Sequence, residues 1–195
     1  MNIHHGVGSE TARVRVSTAL GEFDVEASGR GLRSVTPVRA VDRERAAPHA
    51  TGRGGPDDQA APLHVRVAAD ALRRYAEGGR ARYEGALDIP APAFHLAVWE
   101  RLRAIPFGAT ATYGEIAAKL GMPGEARAVG AAIAANPVCI LVPCHRIVGA
   151  DGSLRGFAWG LDLKRRLLAH EGSAALSLFA GVQDGKGTGR PVRPD

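Results

Sequence analysis

The sequence predicts an α/β fold of the α+β kind, with strands at the start of the chain and helices over most of the rest. Residues 11–35 alternate apolar and polar side chains, which is the period of half-buried strands. Residues 63–76 instead place apolar side chains at helical spacing, and Thr112 and Glu115 have the spacing of a helix-capping box. With 195 residues, 45% of them hydrophobic, the chain can bury one core or a small domain beside a larger one.

The first 90 residues predict a small antiparallel meander followed by one helix. The strands are residues 11–17, 23–27 and 32–35, and glycine-containing turns separate them. A loop rich in charge, glycine and proline spans residues 42–62, and the helix follows at 63–76. We therefore expect an amino-terminal domain at 1–90, a second domain at 91–173 and a flexible tail at 174–195.

The second part of the chain contains two short helices joined by a tight turn. A helix carrying Phe94, Val98 and Trp99 precedes them. The capping box predicts a helix from Tyr113 to near Gly121, and a second helix follows at residues 125–135. This is the arrangement of a helix-turn-helix. The spacing leaves open whether the pair binds DNA or is two packed helices.

The second helix of this pair has two unusual features. Arg127 lies in its first turn, where the helix dipole disfavours a cation by ~0.3–1 kcal/mol. The body of the helix is nearly all small, which would suit a DNA minor groove only about 6 Å wide. A surface ion pair for Arg127 and close helix packing through the small residues are the alternatives. The small residues that matter here are Ala126, Ala128, Gly130 and Ala131.

The charge distribution points to an anionic partner or to a solvated basic face. Residues 1–100 carry 13 basic and 13 acidic side chains, whereas residues 101–171 carry 9 and 5. Met1 to Gly8 has no basic or apolar region of the signal-peptide kind, and no apolar stretch reaches the ~18 residues of a membrane helix. We therefore expect a cytoplasmic protein.

Two cysteines in a chain of this length predict no disulfide framework.

The segment around Cys144 is the candidate centre of chemistry. Residues 138–142 predict a short buried strand that ends at Pro143, and Asp151-Gly152 indicates a hairpin or tight turn. A loop from Gly156 to Gly160 leads into a final helix that Gly172 ends. In that helix we expect Leu163, Leu167 and Leu168 to face inward and Lys164, Arg165 and Arg166 to face outward.

A nucleophilic Cys144 would need a base or positive surroundings, because a free thiol is mostly protonated at neutral pH. Adjacent residues of an extended segment point apart, so we expect a water between Cys144 and His145. Glu171 or another carboxylate could orient the imidazole. A small buried hydrophobe is the alternative for Cys144. Cys139, Cys144 and His145 lack a second pair at zinc-like spacing, so we expect no metal and no cofactor.

Several motifs of the second half of the chain occur together: Val142-Pro-Cys-His-Arg-Ile-Val148, Asn136-Pro137, Ala126-Arg-Ala-Val-Gly130, Tyr113 and Glu171. Together they resemble one family, the O6-alkylguanine-DNA alkyltransferases, also called methylated-DNA–protein-cysteine methyltransferases. The resemblance runs from about Phe94 to Gly172, and it implies a ribonuclease-H-like fold for the divergent amino-terminal domain.

The resemblance also implies a reaction and a partner. The reaction is direct-reversal DNA repair, in which one molecule transfers one alkyl group to Cys144 after the damaged nucleotide is flipped out of the duplex. The substrates would be O6-alkylguanine and O4-alkylthymine. The implied partner is double-stranded DNA that carries O6-alkylguanine, and we expect a monomer that makes no contact with membranes.

The resemblance assigns a role to each matching residue. Cys144 would accept the alkyl group, His145 would act as the base through water, and Glu171 would orient His145. Asn136 would brace the turn between the second helix and the active-site segment. Arg127 would take the place of the flipped nucleotide, beside DNA contacts from Ala126, Ala128, Gly130 and Ala131.

The remaining implied roles concern the substrate pocket. Tyr113 would contact the rotated guanine and its 3′ phosphate. Lys164 would help to set the protonation state of Tyr113. The pocket itself would be lined by Val142, Pro143, Ile147, Phe157, Ala158 and Trp159. Phe157 stands where a tyrosine is more usual in the family.

Other function classes remain open at this point. A non-catalytic alkyl-lesion sensor or a helix-turn-helix DNA-binding protein would bind DNA without chemistry, although the sensor lineage lacks the acceptor cysteine. A cysteine hydrolase would use Cys144, His145 and Glu171 for acyl transfer. That class gives no reason for the capped helix pair.

Overall fold

An antiparallel sheet and one covering helix form the first part of the structure. The computed structural model describes residues 11–38, 63–80 and 82–174. Strands β1 (Thr11–Thr18), β2 (Gly21–Ser28) and β3 (Gly31–Pro37) pair in the order β1-β2-β3. Helix α1 (Leu63–Ala76) packs across them and buries Val65, Leu72 and Tyr75. The predicted meander and helix are confirmed.

Four helices build the second part. They are α2 (Ala93–Arg103), α3 (Tyr113–Lys119), α4 (Ala126–Ala134) and α5 (Leu161–His170). The capping box that begins α3 is present, since Glu115 N–H donates to Thr112 Oγ1 and Thr112 N–H donates to Glu115 Oε2. Trp99 Nε1 donates a 2.8 Å hydrogen bond to the carbonyl of Ala132, which holds α2 against α4. The predicted helix pair is confirmed within one or two residues.

The active-site segment, residues 136–148, lies between the amino-terminal sheet and the four later helices. A 3₁₀ turn (Cys144–Arg146) runs into β5 (Ile147–Val148), which pairs in parallel with β4 (Ala111–Thr112). On the other side, Val35 of β3 bonds to the carbonyl of Pro137 and accepts from Cys139 N–H. The amino-terminal sheet therefore supports the segment that carries both cysteines.

The strand predicted at residues 138–142 is wrong. Only Val138 makes a strand-like bridge, and a tight turn follows it, in which Ile140 has φ 70°. Val142 N–H bonds back to the carbonyl of Val138, so the chain folds on itself instead of extending. Burial of these residues is as predicted, but burial alone does not distinguish a buried turn from a buried strand.

The outward position predicted for Lys164 is also wrong, because its side chain is 0% exposed. Lys164 shares a helix face with Leu167, Leu168 and Glu171, at spacings of three, four and seven residues. The loop at 42–62 and the tail after Ala174 lie outside the described residues. Among the described helices, none combines the length and the apolar character needed to cross a bilayer. The α+β class is confirmed.

Candidate active site

Asn136 fixes the turn that presents Cys144. Its Nδ2 donates to the carbonyl of Val142 at 2.9 Å, and its Oδ1 accepts from Val138 N–H at 3.0 Å. Asn136 is 2% exposed, and buried backbone groups need hydrogen-bond partners. Its side chain therefore pairs backbone groups of Val138 and Val142 that a neighbouring strand would otherwise have paired. Pro137 ends the preceding helix, which places Asn136 at the corner between α4 and the active-site turn.

The thiol of Cys144 is buried, with the residue 4% exposed. Burial raises its pKa to about 11, while the Asn136 side chain, the Lys164 charge and backbone groups of Cys144 and His145 act in the opposite direction. Cys139 is also a free and fully buried thiol, and burial raises its pKa well above the usual value. The two cysteines differ in their surroundings: Cys144 borders a cavity, and Cys139 is 0% exposed.

His145 and Glu171 form a buried pair. His145 Nε2 lies 2.7 Å from Glu171 Oε1, and both side chains are 0% exposed. The other ring nitrogen, Nδ1, is buried and makes no hydrogen bond within the described part of the chain. The backbone here is a 3₁₀ turn, so the extended geometry from which we expected a separation of thiol and imidazole is wrong. Nδ1 is the imidazole atom left to act as a base.

Four groups hold the Glu171 carboxylate. They are the imidazole of His145, the guanidinium of Arg146, the hydroxyl of Tyr75 and the N–H of Gly108. Burial alone would raise the pKa of Glu171, but the hydrogen bonds from His145 and Arg146 outweigh burial and lower it. Glu171 is therefore an ionised carboxylate inside the protein.

The sequence reasoning assigned no role to Arg146 and Tyr75. Arg146 stands inside the quoted Pro-Cys-His-Arg motif, and a buried arginine needs a carboxylate partner. Tyr75 lies on the apolar face predicted for residues 63–76, where a buried hydroxyl requires an acceptor. Both signals were present, but they did not identify Glu171 as the common partner.

A cavity of about 610 Å³ opens beside Cys144, large enough for a small organic ligand. Its walls come from α3, from the small-residue face of α4 and from the loop before α5. The residues that line it are Tyr113, Ala126, Arg127, Gly130, Ile133, Ala134, Cys144, Arg155, Gly156, Phe157, Ala158 and Trp159. The rings of Phe157 and Trp159 meet edge to face at 5.6 Å in one wall.

Three residues predicted for the pocket do not line this cavity. Val142 and Ile147 are 1% and 0% exposed and pack in the core, since the bonds to Asn136 and β4 turn their side chains inward. Pro143 borders a separate cavity of about 240 Å³ on the other side of the turn. Phe157, Ala158 and Trp159 do line the cavity beside Cys144.

Helix α4 places three of its five predicted contact residues, Ala126, Arg127 and Gly130, at the cavity. Arg127 is exposed in the first turn and forms no ion pair with any described residue. A Cβ added at Gly130 would lie 3.7 Å from the ring of Tyr113, which is an ordinary van der Waals distance, so this face of α4 lies directly beside that ring. Ala126 lines the cavity, while Ala128 is half-buried and Ala131 is exposed.

Lys164 and Tyr113 share one acceptor. Lys164 Nζ donates to the carbonyls of Ile147 at 2.5 Å and Arg155 at 2.7 Å, and Tyr113 Oη donates to the same Arg155 carbonyl at 3.4 Å. Burial lowers the pKa of Lys164 to about 8. Burial, followed by the nearby Cys144, raises the pKa of Tyr113, and Arg155 acts against them. Within the described residues, no cluster of three His, Cys, Asp or Glu side chains is arranged to hold a metal.

Comparison with known proteins identifies the domain that carries this site. Residues 93–173 match the family model described as 6-O-methylguanine DNA methyltransferase, DNA binding domain. A methylated-DNA–protein-cysteine methyltransferase of Mycolicibacterium paratuberculosis is 46% identical over 121 residues, which cover 60% of this chain and 73% of the relative. A protein of the same name from Salmonella typhimurium is 57% identical over 79 residues, 40% of this chain and 46% of that protein.

Solved structures extend the likeness to the amino-terminal half. The crystal structure of Mycobacterium tuberculosis O6-methylguanine methyltransferase has a TM-score of 0.66 and 32% identity, and the match covers 87% of this chain and 99% of that one. The crystal structure of Mycobacterium tuberculosis OGT in complex with DNA matches with the same TM-score and 34% identity, and the match covers 86% of this chain and 99% of that one. The chain therefore belongs to the methylated-DNA–protein-cysteine methyltransferase family.

Proposed function

We propose that this protein repairs alkylated DNA by direct reversal, taking the alkyl group of O6-alkylguanine onto Cys144. One observation carries the proposal: the Cys144 thiol borders a cavity of about 610 Å³ and is followed by an imidazole that a buried carboxylate orients. Family membership supports the reaction class, and the DNA-bound relative supports DNA as the partner. The acceptor belongs to the protein and not to a cofactor.

The proposed step displaces guanine from the alkyl carbon. The sulfur of Cys144 forms a bond to that carbon while the bond from carbon to O6 breaks, and the electron pair of the broken bond passes to the guanine ring. The thiol proton passes through a water to His145 Nδ1 and is then released to solvent, while the guanine ring takes up one proton. The products are unmodified guanine and an S-alkylcysteine. Water finds no acyl carbon to attack in a thioether, so each molecule acts once.

The surroundings of the Cys144 thiol favour its deprotonation only during the reaction. Because burial raises the pKa of Cys144 to about 11, little thiolate exists at neutral pH before substrate binds. Attack therefore requires proton transfer to His145 in the same step or just before it, and the buried Lys164 charge favours the thiolate. Tyr113, which lines the cavity, would contact the guanine and its 3′ phosphate.

Access to O6 requires the nucleotide to leave the base stack, because the thiol is buried and the duplex buries the base. We infer that α4 enters the minor groove through its small residues and that Arg127 fills the space left by the flipped nucleotide. Arg127 is exposed at the cavity and has no ion-pair partner among the described residues, which supports this role. The basic excess of residues 101–171 would contact phosphates.

Three further expectations belong to the same proposal. O4-alkylthymine would be a second substrate, since it presents an alkyl ether of the same kind. Residues 1–90 and 91–173 would act as two domains, with β3 bonded to the active-site segment. The protein would work as a monomer, because the proposed site draws all its residues from one chain.

A transfer assay separates this proposal from binding without chemistry and from a cysteine hydrolase. The protein is mixed with duplex DNA that carries O6-methylguanine with a radiolabelled methyl group. We expect stoichiometric label on the protein and none beyond one equivalent. Binding without label would indicate a lesion sensor or a helix-turn-helix DNA-binding protein. If the protein neither binds the DNA nor acquires label, the proposal is refuted and a cysteine hydrolase remains as the alternative.

A further inference from the structure

Tyr75 reaches the candidate active site from α1, outside residues 93–173 that the family model matches. Its hydroxyl donates a 2.7 Å hydrogen bond to Glu171 Oε1 and lies 3.4 Å from His145 Nε2. The residue is 1% exposed. Its ring packs against Phe107 at 5.9 Å and His170 at 5.2 Å, and His170 Nε2 lies 2.6 Å from its carbonyl. The hydroxyl is therefore held in one position.

The donors around Glu171 occupy the whole carboxylate. An ionised carboxylate offers about four lone-pair positions. Oε1 accepts from Tyr75, His145 and Arg146, and Oε2 accepts from Arg146 and Gly108. A carboxylate in this state has no free position for another proton, so it orients the imidazole without taking its proton.

We propose that Tyr75 is a positioning residue for the alkyl-transfer reaction, which keeps the proton of His145 on Nε2 and the lone pair of Nδ1 available for the thiol proton. The inference rests on the proposed function. Without the Tyr75 hydroxyl, Oε1 would attract the Nε2 proton more strongly and stabilise the imidazolium. An imidazolium cannot accept the thiol proton, so reaction at mildly acidic pH would slow.

The surroundings of His145 make the direction of this effect specific. Burial lowers the pKa of His145, Glu171 raises it, and the charges of Arg146 and Lys164 lower it. The titratable and charged groups that face the imidazole are Tyr75 from α1, Cys144 and Arg146 from the 3₁₀ turn, Lys164 from α5, and Glu171 just after α5. Replacing Tyr75 by phenylalanine changes none of these charges and removes one donor from Glu171.

The test compares Tyr75→Phe with Tyr83→Phe. Tyr83 is also buried and donates one hydrogen bond, to the carbonyl of Ala86, but it contacts neither Glu171 nor His145. The rate of methyl transfer is measured from pH 5 to 9. We expect Tyr75→Phe to move the midpoint of the acid limb upward by roughly half a pH unit or more, which slows transfer about threefold or more below it. Tyr83→Phe should leave the midpoint in place.

A second readout is the NMR titration of the His145 ring. The pH at its midpoint should rise in Tyr75→Phe and stay unchanged in Tyr83→Phe. A midpoint that stays, or moves downward, would overturn the positioning role even if the variant loses stability. If Tyr75→Phe does not fold, Tyr75→Met, a smaller and flexible apolar side chain without a hydroxyl, is measured in its place. If the parent transfers no label at any pH, the proposed function fails, and the His145 titration then decides the role of Tyr75 separately.

Discussion

Lys164 Nζ donates a 2.7 Å hydrogen bond to the carbonyl of Arg155, so a fully buried amine ties the last helix to the loop that walls the cavity. The same amine binds the carbonyl of Ile147, just after the active-site turn. One side chain thus connects the loop before α5 to the chain that follows the active-site turn, and it places a positive charge near the Cys144 thiol. Because burial lowers the pKa of Lys164 to about 8, this charge is present at neutral pH and is lost as the pH rises through 8.

We predict that Lys164→Met raises the pKa of the Cys144 thiol and slows methyl transfer. The charge that lowers the thiol pKa would be gone, and two buried carbonyls would lose their donor, at about 1–3 kcal/mol each in stability. Lys119→Met, on the exposed side of α3, is the control. The thiol pKa is measured from the pH dependence of its reaction with a small alkylating reagent. An unchanged thiol pKa in Lys164→Met would exclude this electrostatic role.

His145 and Glu171 should behave as one unit. We predict that His145→Asn and Glu171→Gln each slow transfer, and that the double variant is little slower than the worse single variant, because each change breaks the same 2.7 Å contact. Rates are compared in single-turnover reactions with methylated duplex. Losses that multiply in the double variant would show that the two side chains act independently.

Arg127 should matter only when a nucleotide must leave a duplex. We predict that Arg127→Ala slows repair of duplex DNA about tenfold or more and has little effect on a free O6-alkylguanine base, which needs no flipping. Arg13→Ala, which removes an exposed arginine from β1, controls for the loss of one positive charge. Equal effects of Arg127→Ala on both substrates would remove its proposed role in the flipped state.

Trp159 should limit the size of the alkyl group. Its indole lines the cavity beside Cys144 and packs on Phe157. A benzyl group must share that volume, and overpacking costs about 1–3 kcal/mol, or roughly ten- to a hundredfold in rate. We predict that Trp159→Gly speeds reaction with free O6-benzylguanine and leaves methyl transfer from duplex nearly unchanged. Benzyl sensitivity that does not change would mean that the indole leaves room for the ring.

Much of the fold could be predicted because its signals are local. The alternation in β1 and β2, the helical spacing in α1 and the capping box at Thr112 each depend on residues close in sequence. The turn at 138–142 could not be predicted in this way. It depends on Asn136 bonding back to Val142 and on the backbone of β3, and an apolar run in a buried turn resembles a buried strand.

In the site, too, the features that local sequence indicates could be predicted, and those that depend on distant contacts could not. The family motifs pointed to Cys144, His145 and Glu171, and the structure brings the last two into contact. The burial of Lys164 and the partnership of Tyr75 with Glu171 depend on packing between distant segments. A single sequence shows that a tyrosine hydroxyl lies on an apolar face, but it does not show which carboxylate, 96 positions away, accepts its hydrogen bond.

The identity of the modified residue tests the central claim most directly. After reaction with duplex that carries O6-methylguanine, the protein is digested and its peptides are mapped by mass spectrometry, for the parent, Cys139→Ser and Cys144→Ser. We predict one added methyl group on the peptide containing Cys144, in the parent and in Cys139→Ser, and none in Cys144→Ser, which should still bind the damaged duplex. Methyl transfer to Cys144→Ser, or a methyl group found on Cys139, would contradict the account.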